Sequence, residues 1–167
     1  QAPEAEAETQ EESVDTATLL DNLCKEIAKM INDAVSEGYS ENQQSEIAWF
    51  CGEKIRKVIG SLLNTGQGPK ALEALSIKLQ TLTSGLLTHE KLIDYLEFAE
   101  TFPDIQIVSR LSEKLSLKHF LLISQIHSDL QRVYYSEMAY KEAWSLSILK
   151  EKISTKSFEG EYGDEAK

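Results

Sequence analysis

Few side chains in this sequence combine the type and the spacing that chemistry requires. Cys24 and Cys51 lie far from each other along the chain and from His89, His119 and His127. Metal sites place ligands within a few residues of one another, as in Cys-x-x-Cys, so no metal is expected. The two cysteines read as reduced, buried thiols of a cytoplasmic protein rather than as a disulfide. His119, in Leu115-Ser-Leu-Lys-His119, stands alone at the start of an apolar stretch and reads as a hydrogen-bonded structural residue, not an acid, base or ligand. Gly66-Gln-Gly68 precedes a helix as an anion-cradling loop would, but it lacks a Walker or dinucleotide pattern and reads as a turn. Tyr134, Tyr135, Tyr140 and Trp144 crowd around Arg132. In a nucleic-acid reader such rings stack on bases while the arginine meets phosphate, yet at helical spacing they read as core residues with polar tips. No catalytic residue, cofactor or small-molecule substrate is expected.

The elements that carry these residues are helices. Leu19, Leu20, Leu23, Ile27, Met30, Ile31 and Val35 recur every three or four positions, with Thr16 or Asp15 to cap the start and Gly38 to end the run. A second stripe runs Ile47, Phe50, Cys51, Ile55, Val58, Ile59, Leu62 and Leu63. Gly52 lies inside it, where the close approach of a neighbouring helix is the simplest reason to forgo a side chain. Pro69 opens a third helix with Leu72, Leu75, Leu79 and Leu82, and Thr88 caps a fourth with Leu92, Tyr95, Leu96 and Ala99. Pro103 starts a short fifth carrying Ile107, Val108 and Leu111; Ser116 caps a very apolar sixth. Residues 129–143 make a seventh with Val133, Tyr134 and Met138, and Ser145 caps an eighth with Leu146, Leu149 and Ile153.

Length and charge set the frame. The chain has 167 residues, 41% of them apolar, and no apolar run near the roughly 20 residues of a membrane span. Its net charge of −11 is concentrated at the ends, leaving the body nearly neutral. The expectation is an all-α, compact array of about eight helices over residues 16–155, between a disordered acidic tail at 1–15 and a disordered tail or linker at 156–167. The chain opens on Gln1 and reads as trimmed or processed.

A set of motifs then accumulates in order. Trp49 with Gly52 and Ile55 is followed by Leu72, Leu75, Ser76 and Leu79, and then by Phe98 with Phe102-Pro103. Leu115-Ser116-x-x-His119, Arg132-x-x-Tyr135 and Trp144-Ser145 with Leu149 and Ile153 complete it. This succession resembles the N-terminal domain of the YhcG-like family, over about residues 17–155. The resemblance implies a helical domain of unknown function that precedes a PD-(D/E)xK nuclease domain, which supplies the metal-holding acids and lysine. The chain stops about where that nuclease would begin, and Glu151-Lys152 falls in a helical segment, so a non-catalytic accessory half is expected. The family pattern is altered at Gln67, Leu96, Leu117 and Ser147, two of which replace arginines.

Two functions follow, and an independent hydrolase resting on His119 alone ranks below both. The first is a protein-interaction or dimerisation module, favoured by a neutral body and abundant apolar helices. The alternative, implied by the resemblance, is a helix-turn-helix-like DNA-binding module using Lys54, Arg56, Lys57, Lys114, Lys118 and Arg132. Its candidate recognition helix, Thr88 to Glu100, sets one cation, Lys91, against Glu90, Asp94, Glu97 and Glu100, so protein interaction ranks first.

Overall fold

A computed structural model of the chain describes residues 2–63 and 66–162, with side chains placed from 16 to 62 and from 66 to 160. Its helices are α1 (Ala2–Glu37), α2 (Glu41–Leu63), α3 (Gly68–Leu82), α4 (His89–Thr101), α5 (Ile105–Leu111), α6 (Leu117–Ser124), α7 (Asp129–Lys141), α8 (Leu146–Ser154) and α9 (Ser157–Tyr162). Among the described residues there is no strand, and the all-α expectation holds.

Local chemistry sets most of the helix ends. Gly38 takes φ +67° after α1, the left-handed conformation that closes a helix at little steric cost. Thr88 accepts from the Lys91 amide, Asp104 from Gln106, Ser128 from Gln131 and Ser145 from Ile148, so α4, α5, α7 and α8 each begin on a side-chain cap. Asp104 caps α5, so the helix starts at Ile105, two residues later than the start expected at Pro103.

The interior has two parts that share a wall. Leu23, Ile27, Ile55, Leu75, Leu79 and Leu92 belong to a core made by α1, α2, α3 and the start of α4. Phe98, Leu111, Phe120, Ile123, Tyr135 and Leu149 belong to a second core, made chiefly by the end of α4 and α5–α8. Helix α2 serves both, sending Cys51, Ile55 and Ile59 into the first and Ala48 and Trp49 into the second. Tyr95 packs against both from α4. In the second core, Phe98 and Phe120 stack at 5.0 Å, and Phe102 meets Phe120 edge-on at 5.4 Å. Aromatic pairs of this kind add about 0.5–1.5 kcal/mol each beyond the area they bury.

Helices α2 and α4 meet at Gly52. A Cβ placed there would lie 2.6 Å from the Tyr95 carbonyl carbon and 3.1 Å from the Ala99 Cβ, so only glycine fits. The backbone of one helix rests on that of the other, as the interior glycine suggests.

Several expectations need correction. The acidic stretch 2–15 continues α1 as helix, consistent with its Ala, Glu and Gln content, which favours that state. Neither Asp15 nor Thr16 starts the helix, since α1 already runs from Ala2, and Gln1 lies outside the described residues. The segment after 155 forms α9, because Phe158 is a large apolar group that buries itself against Tyr134. Residues 163–167 of that expected tail, and Asn64 and Thr65 of the turn before α3, are outside the described residues. Phe50, Ile107 and Val133, assigned to apolar stripes, are exposed, because Trp49, Val108 and the pair Tyr134 and Tyr135 take the inward positions on their helices.

Cys24 and Cys51 are free, buried thiols. Burial pushes Cys51 from its ordinary 9.0 up to about 12, and Tyr95 from 10.0 up to about 12. Both groups stay neutral in the folded chain at pH values where an unfolded chain would ionise them. Stability from this source is complete below pH 9 and is lost as pH rises toward 12. Urea midpoints are expected to fall steadily above pH 9, and both thiols to resist a disulfide reagent at pH 8 until the chain unfolds. Rapid labelling of both thiols in native protein would contradict the burial.

Candidate functional site

The later motif residues, from Leu115 to Leu149, lie at the corners of the second core, while Leu72, Leu75 and Leu79 pack in the first. Ser116 caps α6, and His119 occupies the third position of its first turn, forming a capping box with imidazole in place of the usual Glu or Gln. The Ser116 amide donates to His119 Nδ1 at 3.1 Å, and Ser116 Oγ lies 2.8 Å from the same nitrogen. On its other side, Nε2 meets the Trp144 carbonyl oxygen at 2.9 Å. A carbonyl only accepts, so Nε2 carries the proton and Nδ1 is the acceptor. Both nitrogens of the buried imidazole are thereby engaged in hydrogen bonds to neighbouring turns.

The Trp144 carbonyl is presented by the end of α7. Ala143 takes φ +51°, and the Trp144 amide donates back to the Ala139 carbonyl at 3.0 Å, closing the helix in a Schellman-type turn. The next residue, Ser145, caps α8. The Leu-Ser-x-x-His and Trp-Ser motifs are therefore two halves of one joint, tying the start of α6 to the corner between α7 and α8.

The remaining motif positions do similar work. Arg132 donates to the Ile126 carbonyl and pairs with Asp129, which fixes the loop between α6 and α7. Three residues on, the Tyr135 hydroxyl accepts from the Phe158 amide at 3.4 Å and holds α9 in place. Trp49 donates from Nε1 to the Phe102 carbonyl at 2.6 Å, across the gap from α2 to the end of α4. Leu115 is buried in the second core. Trp49, Ser116, His119, Arg132, Tyr135 and Ser145 each spend a side-chain polar atom on a neighbouring turn or helix end.

A family model described as the DUF1016 N-terminal domain matches residues 25–160. The chain belongs to this family. The match runs through Phe158, in accord with α9 being part of the DUF1016 N-terminal domain rather than a tail. No curated protein and no solved structure matches the chain.

The basic residues weighed for DNA contact fall into separate settings. On α2, Lys54 pairs with Glu26 at 3.1 Å, Arg56 with Glu53 at 2.7 Å and Lys57 with Glu53 at 3.9 Å. Lys114 sits 4.6 Å from the centre of the Tyr140 ring, Lys118 is exposed on α6, and Arg132 is tied down as described. The presumptive recognition helix is α4, whose Leu92, Phe98 and Ala99 are buried in the shared wall. Among the described residues, no group of three His, Cys, Asp or Glu side chains is arranged to hold a metal ion. No described helix is long and apolar enough to cross a membrane.

Proposed function

We propose that this DUF1016 N-terminal domain is a non-catalytic accessory module that docks a protein partner or a second copy of itself, alongside the nuclease domain its family resemblance implies. One observation carries the reading. The polar side chains of the motifs are turned inward to fix helix ends, while large apolar ones, Ile77, Leu130 and Val133 among them, stay well exposed. A domain that spends its distinctive polar groups on rigidity and keeps apolar groups outside is suited to being held by another protein.

DNA targeting is the weaker reading. The α2 cations are paired with carboxylates, and α4 is occupied in the core. Neither arrangement suits phosphate neutralisation or groove entry.

Cross-linking of the natural protein in its own cells, read by mass spectrometry, tests the two together. Links from surface lysines such as Lys70, Lys118 and Lys150 to another polypeptide or a second copy are expected. A strictly monomeric protein with no intermolecular link overturns the interaction reading. Retention on duplex DNA that falls steeply with salt, without protein links, replaces it with the DNA one.

A further inference from the structure

We propose that the groove between α5 and α7 receives a basic, aliphatic-anchored segment of a partner polypeptide. The inference rests on the accessory-module reading and gives it a place and a chemistry. The groove is a cavity of about 380 Å³ that opens to solvent beside the turn between α4 and α5. Phe102 and Leu111 form its floor. Ile107 on one side is 43% exposed, Val133 on the other is 60% exposed, and Leu130, one turn earlier on α7, is also 60% exposed. Aliphatic groups placed so openly around a concavity invite aliphatic side chains from elsewhere.

Charge selects the occupant. Glu100, Asp104, Asp129 and Glu137 ring the groove. Arg132 is the one cation among its lining residues, and its guanidinium is already committed to Asp129 and the Ile126 carbonyl. Asp129 is offset by Arg132 and Glu137 by Arg110, which reaches it from α5, so Glu100 and Asp104 are the acids that leave the rim negative. A rim of this sign attracts Lys and Arg and repels phosphate. It also disfavours a second copy of this chain docked rim to rim, where the same acids would face one another.

A third observation is independent of charge. Ser136 lines the same cavity, is only 4% exposed, and its Oγ has no hydrogen-bond partner. Buried hydroxyls are nearly always bonded. Rotation of Ser136 about χ1 would bring this inaccessible hydroxyl to a backbone carbonyl or amide of a docked segment lying over the aliphatic anchors.

Selection from a displayed library of random peptides, using the full chain as bait, tests the proposal. Enriched peptides should carry Lys or Arg flanking one or two aliphatic residues. Synthetic versions should bind the wild-type chain and lose about tenfold or more in affinity on Val133→Ser or Glu100→Lys, both exposed positions where the fold should tolerate change. Ser136→Ala should weaken binding about threefold or more while leaving Tm unchanged or raised, because it removes an unbonded buried hydroxyl. That opposite movement separates a docking role from a structural one. Enrichment of acidic or neutral peptides, no enrichment, or affinity indifferent to all three substitutions overturns the proposal. The accessory reading survives such a result if cross-links map elsewhere on the surface, and falls with it if there are none.

Discussion

Gly52→Ala should destabilise the domain by about 3 kcal/mol, at the upper end of what overpacking costs. In an exposed helix the same exchange stabilises by about 1 kcal/mol, so the sign itself is diagnostic. The reversal comes from the α2–α4 crossing, where the new methyl would enter the space of the Tyr95 carbonyl. That obstacle is backbone and cannot swing aside as the tip of a flexible side chain would. Gly60, on the same helix, is the internal control, since a Cβ there meets nothing within 4 Å. Gly60→Ala should raise the urea midpoint while Gly52→Ala lowers it. Equal responses at the two sites would mean that the helices do not cross closely at residue 52.

His119→Ala should cost about 2–4 kcal/mol, from a lost helix cap and two part-buried backbone groups left without partners. Those groups are the Ser116 amide and the Trp144 carbonyl. His119→Gln offers a finer test. Glutamine at the third helical position can return to the Ser116 amide, as it does in ordinary capping boxes, but cannot also reach Trp144. It should recover roughly 1 kcal/mol of the loss, measured by urea unfolding. If both variants were as stable as the parent, the imidazole would not be the joint described above, and a chemical role for it would have to be considered afresh.

The two cases show where the sequence is easy to read and where it is not. Gly52 sits within the apolar stripe and signals a close crossing, while Gly60 on the same helix meets nothing within 4 Å, so the position on the stripe and not the glycine alone carries the signal. Thr88, Ser116 and Ser145 announce helix starts because capping depends on residues three positions apart. The partner of His119 was not legible, since Trp144 lies 25 residues away and is brought near only by a left-handed Ala143 that no local rule favours. Helix α9 was hidden for a different reason. Its composition is polar, and Phe158 alone signals burial, whose destination beside Tyr134 and Tyr135 exists only in three dimensions. The groove was missed because Val133 was counted as interior on periodicity. Three consecutive bulky residues, Val133, Tyr134 and Tyr135, cannot all face one way on a helix, and the two tyrosines prevailed. Ser136 carries no sequence signal, as only the folded chain shows its hydroxyl to be unbonded.

The party wall formed by α2 and α4 has an evolutionary corollary. Trp49 and Cys51 sit two residues apart yet line different interiors, so no cut through the chain separates one interior from the other. A recombination event that exchanged everything after Thr101 would leave Ala48, Trp49 and Phe98 facing a stranger. The unit of inheritance is therefore the whole helical body, and its two halves should diversify in step rather than be shuffled independently.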